Sequence, residues 1–156
     1  MNKEILSIIK TLETTLSGQP WFGRAIYSLL DEVDSSKAAD KPNDKEHSLL
    51  ELIWHMNTWA EFTLANLEGR TESELRKIEA NDWRKLTQQK HSWKKGLTAF
   101  KSLHKQIIDN LSKRDDDFLS DIVPNRRYNY RFMLNGLIQH SIYHAGQMAY
   151  IKKLLA

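Results

Sequence analysis

The chain has 156 residues, of which 40% are hydrophobic and 28% charged, and a net charge of +3. That is the size and balance of one soluble domain with a single buried core, and its charge is too small and too dispersed to argue for nucleic acid. Cysteine is absent, which excludes a disulfide staple, a thiolate metal ligand and a cysteine nucleophile. Any metal must be held by His, Asp, Glu or water, and any thiol must come from outside.

Taken in chain order, residues 3–16 carry Ile5, Leu6, Ile8, Ile9, Leu12 and Leu16 close to helical spacing. This segment lacks the apolar run of a signal peptide, and no stretch approaches the ~20 apolar residues that span a bilayer. A cytoplasmic protein with no membrane association is expected. Gly18-Gln19-Pro20 breaks the pattern, and Trp21 to about Val33 is helical again, either as a separate helix or as the first one continued past a kink. Residues 34–47 are polar, contain Pro42 and read as a loop. Ser48-Leu-Leu-Glu51 has the form of a capping box and opens a helix to about Leu67, closed by Gly69.

The stretch from Arg70 to Leu86 is charged and irregular, with a short helix after Thr71. A further long helix fits 87–112, where Trp93, Leu97, Phe100, Leu103 and Ile107 recur at steps of three and four. Its lysines, Lys90, Lys94, Lys95, Lys101 and Lys105, mark a solvated face, and Asp115-Asp116-Asp117 reads as a solvated turn rather than an acidic ligand cluster. The last helix runs from about Tyr130 to Leu155. No segment alternates with period two for long enough to demand a strand. The expected fold is all-α: one domain over residues 1–156, a four-helix bundle with up-down-up-down order and long connections.

The chemistry concentrates in QHSIYHAGQM, residues 139–148, which places His140 and His144 on one helix face with Cβ atoms roughly 5–6 Å apart. Two such imidazoles can meet one ion at about 2.0–2.1 Å; the same spacing also suits two partly buried histidines with ordinary hydrogen bonds. Ser141 stands where a zinc peptidase of the HExxH kind needs its glutamate, which excludes that reading. His55 shares an apolar stripe with Leu52, Trp59 and Phe62. Buried without a partner it would cost about 1–3 kcal/mol, so it needs a carbonyl or a metal. If helix directions alternate, the second and fourth helices run parallel. His55 then lies about 10 Å along its helix and the pair about 15 and 21 Å along theirs, so the three can meet. Three neutral imidazoles with an open position resemble a catalytic metal site more than a closed structural one.

The other candidates have competing roles. Glu51, one turn before His55, is either a base or support for that imidazole, or simply the capping-box partner. Gln147, one turn after His144, either hydrogen-bonds a ligand or packs. Trp54, Trp59, Trp83, Trp93 and Tyr143 either wall a substrate cavity or fill the core. His91 and His104 are about 220° apart around one helix; with His47 they are read as surface or structural residues.

Three stretches, GQPWFGRAIYSLL, HSLLELIWHMNTWAEF and GLIQHSIYHAGQMAYIKKLL, spread over nearly the whole chain, resemble the DinB-like (YfiT-like) superfamily of bacterial four-helix-bundle proteins. The last is the most specific, because Ala145-Gly146-Gln147 follows the histidine pair as in that family's final helix. The resemblance implies a divalent metal, nickel or zinc most often, held by His55, His140 and His144, and a homodimer. Related branches include mycothiol-dependent maleylpyruvate isomerase, bacillithiol S-transferases and proteins described as metal-dependent hydrolases. The leading expectation is a metal-dependent transferase joining a low-molecular-weight thiol to an electrophilic small-molecule substrate. The alternatives are a hydrolase using metal-bound water and a non-catalytic metal- or ligand-binding protein, because fold membership alone does not choose a reaction.

Overall fold

Four long apolar-patterned stretches and two short ones become six α-helices in the computed structural model, which describes residues 2–156. Met1, the first residue of the expected domain, lies outside the described residues. Among the described residues there is no strand, only an isolated antiparallel bridge between Ile122 and Asn129. None of these helices is long and apolar enough to cross a membrane.

Helix α1 (Lys3–Ser17) buries Ile5, Ile8, Ile9, Leu12 and Leu16 along one face. Asn2 gives its N-terminus no side-chain cap. The Asp116 carboxylate supplies one from far along the chain, accepting from Ile5 N–H at 2.8 Å and Glu4 N–H at 3.2 Å. The acid run at 115–117 is therefore more than a solvated turn: it places an anion on a helix N-terminus, where the dipole favours it. Helix α2 is confined to Ile26–Asp31, shorter than the expected 21–33, because the chain turns at Gly23 with φ +133°.

Helix α3 (Leu49–Leu67) opens on the complete capping box: Glu51 N–H donates to Ser48 Oγ at 3.1 Å, and Ser48 N–H donates to Glu51 Oε2 at 2.8 Å. It closes at Gly69, whose φ of +71° lets Arg70 N–H reach the Ala65 carbonyl at 3.0 Å and Gly69 N–H reach that of Asn66 at 3.1 Å. These paired bonds satisfy carbonyls that the helix end leaves free. Helix α4 (Glu72–Glu79) follows its own Thr71/Glu74 capping box. Helix α5 (Trp93–Leu111) starts later than the expected residue 87, because Ser92 Oγ caps it by accepting from Lys95 N–H at 3.2 Å. Residues before Ser92 form a turn in which His91 N–H donates to the Thr87 carbonyl. A 3-10 turn (Asp117–Ser120) precedes helix α6 (Tyr130–Leu154), whose N-cap Asn129 accepts from Phe132 N–H at 2.9 Å.

The helix directions differ from the expected order. Helix α3 packs against α4, α5 and α6, and α1 packs against α2, α5 and α6. Asn57 Nδ2 in the first half of α3 donates to the Gly96 carbonyl near the start of α5 at 2.9 Å, and Arg114, just past α5, donates to the Leu67 carbonyl that ends α3. So α3 and α5 are parallel. Tyr130 OH at the start of α6 donates to the Asn66 carbonyl near the end of α3, while His140 and His144, further along α6, meet His55. So α3 and α6 are antiparallel, and the up-down-up-down order with α3 parallel to α6 is corrected. The cause is the connection over residues 68–92, which contains α4 and carries the chain back to the end where α3 began. Only short connections force antiparallel neighbours.

Gly96 permits the close α3–α5 contact: a Cβ there would lie 3.0 Å from Ile53 Cγ2 and 3.1 Å from Trp54 Nε1. The apolar core forms two clusters. One joins the first half of α1 to the later part of α3 and the start of α6; the other joins α2 to the first half of α3 and the later part of α6. Along α6, His140 and His144 fall between residues of the two, while His55 lies on α3 among residues of the second, ahead of the first.

A three-histidine candidate metal centre

Helix α3 delivers His55 and helix α6 delivers His140 and His144 one turn apart. Their Nε2 atoms form a near-equilateral triangle: 3.0 Å from His55 to His140, 3.0 Å from His55 to His144 and 3.1 Å from His144 to His140. His55 and His144 are buried and His140 is half-buried.

The outer nitrogens decide what the triangle means. His55 Nδ1 lies 2.5 Å from Asp82 Oδ1, and His144 Nδ1 lies 2.6 Å from Gln147 Oε1. Both partners are acceptors, so each Nδ1 carries the proton and each Nε2 turns a lone pair to the centre. The three contacts cannot then all be hydrogen bonds, since at most His140 has an N–H to offer. Lone pairs gathered about 3 Å apart at a buried point are the arrangement that suits a cation between them. Ligands about 2.0–2.1 Å from one ion and about 90–110° apart lie about 2.8–3.4 Å from one another, a range that contains the observed spacing. The group therefore fits a divalent metal, and these three residues could hold one.

Electrostatics agree. Burial lowers the pKa of all three imidazoles, that of His140 to about 4, where the neighbouring histidines push in the same direction. The Asp82 bond opposes this at His55 and the Gln147 bond opposes it at His144 without reversing it. At neutral pH all three are in the neutral form that ligates metals. The Nδ1 of His140 is buried and has no hydrogen-bond partner among the described residues.

The segment after α4 wraps the His55 side of the centre. Asp82 holds the outer nitrogen, and the next residue, Trp83, lies flat between His47 and His55, with ring centroids 3.9 Å away on each side. Trp83 has φ +49°, a left-handed conformation that costs a non-glycine residue about 1–2 kcal/mol; the double stack holds it there. Arg84 anchors the segment by donating to Thr58 Oγ1 at 2.8 Å and sits 5.5 Å from the Trp54 ring centre.

The remaining sequence candidates separate by place. Glu51 does not touch His55. Its carboxylate closes the capping box and pairs with Lys41 at 3.1 Å. Burial would raise its pKa, but the Ser48 N–H and Lys41 outweigh that and leave it lowered. The support of His55 considered for Glu51 is supplied by Asp82. Trp54 and Glu51 line a cavity of about 140 Å³ beside His55, and Trp59 lines one of about 210 Å³ beside His140. Tyr143 is exposed, its ring edge-on to His144 at 5.0 Å, and Trp93 is core. His104 is fully buried with Nδ1 on the Phe100 carbonyl, and His91 lies edge-on to Trp54. His47 reaches the centre only through the Trp83 stack. A separate cavity of about 680 Å³ is lined by none of the three histidines.

Asp82 is the site residue that sequence reasoning missed. It is 27 residues from His55, in a charged irregular stretch with no periodicity to link the two. Its only local signal is its place in Asn81-Asp82-Trp83, and one acid beside one tryptophan is too common to mark.

Comparison with known proteins adds a single finding. No curated protein and no solved structure gives a match. The model of the DinB superfamily matches residues 22–148, a span that runs from before α2 to Met148 and encloses all three histidines together with Asp82 and Gln147. The chain belongs to the DinB superfamily.

Proposed function

We propose that the protein is a metal-dependent transferase that joins a low-molecular-weight thiol to an electrophilic small molecule, with His55, His140 and His144 holding a nickel or zinc ion. The observation that carries this reading is the Nε2 triangle, with two outer nitrogens committed to acceptors and no carboxylate free beside it. A divalent ion held there supplies a Lewis acid that lowers the pKa of a coordinated thiol or water.

The chain's own groups then have distinct tasks. Asp82 and Gln147 fix the tautomers and ring orientations of His55 and His144. Trp83 covers one face of His55 and keeps water from it. The chain has no cysteine, so a sulfur nucleophile must arrive as a co-substrate. The hydrolase alternative needs a proton acceptor at the centre. Of the nearby carboxylates, Glu51 is tied to the helix cap and Asp82 to His55, which favours the thiol reading.

The test is thiol consumption by metal-loaded protein over a panel of low-molecular-weight thiols and alkylating or acylating electrophiles. Metal-dependent consumption that disappears in His144→Ala supports the transferase. Full metal loading with no thiol consumed across the panel refutes it, and ester cleavage that needs metal but no thiol selects the hydrolase.

A further inference from the structure

The cavity beside His140 has a composition the metal centre does not require. Trp59, Phe62, Tyr128, Phe132 and Leu137 wall it, and its volume is about 210 Å³. Thr63, the one hydroxyl-bearing aliphatic residue at its edge, is turned back to the Trp59 carbonyl at 2.9 Å. Phe132 stays 66% exposed at the rim, although burial stabilises such a side chain.

Gly136 forms part of the cavity lining, one turn before His140 in the first half of α6. A glycine inside a helix destabilises it relative to alanine, because the bare backbone has more freedom to lose on folding. Neither conformation nor crowding demands it: its φ is not positive, and a Cβ at Gly136 would meet no atom within 4 Å. The bare position forgoes helix stability and packing at once, and what it leaves is open space next to a metal ligand.

We infer that this cavity is a binding site for an uncharged apolar molecule about the size of one substituted aromatic ring, seated against Gly136 with one end at His140. An apolar cavity of ~150 Å³ admits benzene, so a ring with a short substituent suits this volume. The cavity beside His55 is the contrasting case, lined by His47, Glu51 and Arg84 as well as aromatics, and it suits a polar or charged molecule. Resting on the transferase reading, the ring-bearing molecule is the electrophile and the polar cavity receives the thiol; the apolar binding site itself does not depend on turnover.

The experiment measures binding of 4-fluorotoluene by ¹⁹F NMR, with and without metal, to the wild type, Gly136→Ala, Gly136→Leu and Gly146→Leu. Gly146 is the control: it lies on the same helix, a Cβ there also meets no atom within 4 Å, and it lines the separate 680 Å³ cavity. Saturable wild-type binding is expected, weakened at least tenfold in Gly136→Leu, less in Gly136→Ala, and within twofold of wild type in Gly146→Leu. Gly136→Ala, with a single methyl in open space, keeps the test readable if Gly136→Leu fails to fold by circular dichroism. Absence of saturable binding, equal affinity in the Gly136 variants, or a loss confined to Gly146→Leu would each overturn the inference. Probe binding that follows Gly136 in a protein that consumes no thiol would sink the transferase and leave this site standing. Thiol turnover with binding indifferent to Gly136 would do the reverse.

Discussion

At the scale of single residues, two buried interactions carry consequences that can be measured. Among the described residues Asp82 is the only hydrogen-bond partner of the His55 outer nitrogen, and removing such a partner typically weakens metal affinity 10–100-fold. Asp82→Ala is expected to lower affinity by that factor while the far-ultraviolet circular dichroism stays unchanged; competition with a chelator measures it. Equal affinity would show that the Trp83 stack alone orients the imidazole. His104 bears on acid stability. Burial drives its pKa down to about 4 against the opposing bond to the Phe100 carbonyl, so the folded state keeps it neutral while the unfolded chain takes up a proton below about 6.5. The contribution is fully present above that value and is lost as pH falls toward 4, at about 1.4 kcal/mol per pH unit. In urea unfolding, His104→Leu should lose about 2 kcal/mol less than wild type between pH 7 and pH 5. Identical losses would mean that His104 is already solvated in the native state.

At the scale of elements, legibility followed the locality of the signal. The Ser48/Glu51 box and the Gly69 stop bound α3 where the sequence places them, because caps are satisfied by residues within one turn of the helix end. The short helix after Thr71 was legible for the same reason. The start of α5 was not, since residues 87–92 are all polar and both Thr87 and Ser92 are residue types that cap a helix. Asp116 shows the other limit. Its neighbours on both sides are aspartates, and only the fold brings it to the N-terminus of α1. Trp83 combines both difficulties, in a left-handed conformation that no local residue preference predicts and that its two histidine neighbours hold in place.

At the scale of the whole molecule, the centre joins α3 to α6, so metal should stabilise the fold as a cross-link between helices. At free metal 100 times the dissociation constant, linkage contributes about 2.7 kcal/mol, or roughly 5–10 °C in melting temperature for a chain of this size. Thermal melts of wild type with nickel or zinc and after chelation measure the difference. The same comparison in His144→Ala should show no metal-dependent shift, and a shift retained there would place the ion elsewhere.

The sequence by itself determined the helical class, most helix ends and the three histidines, because apolar period, caps and motif spacing act within a few turns of chain. It also suggested that the histidines meet, although the parallel register offered as the reason was mistaken: α3 and α6 are antiparallel. Tertiary structure alone decided that register, the parallel α3–α5 pair, the choice of Asp82 over Glu51 as the partner of His55, and the open cavity at Gly136. Each of these depends on where a long connection returns the chain, and that is set by packing among distant surfaces rather than by residues adjacent in sequence.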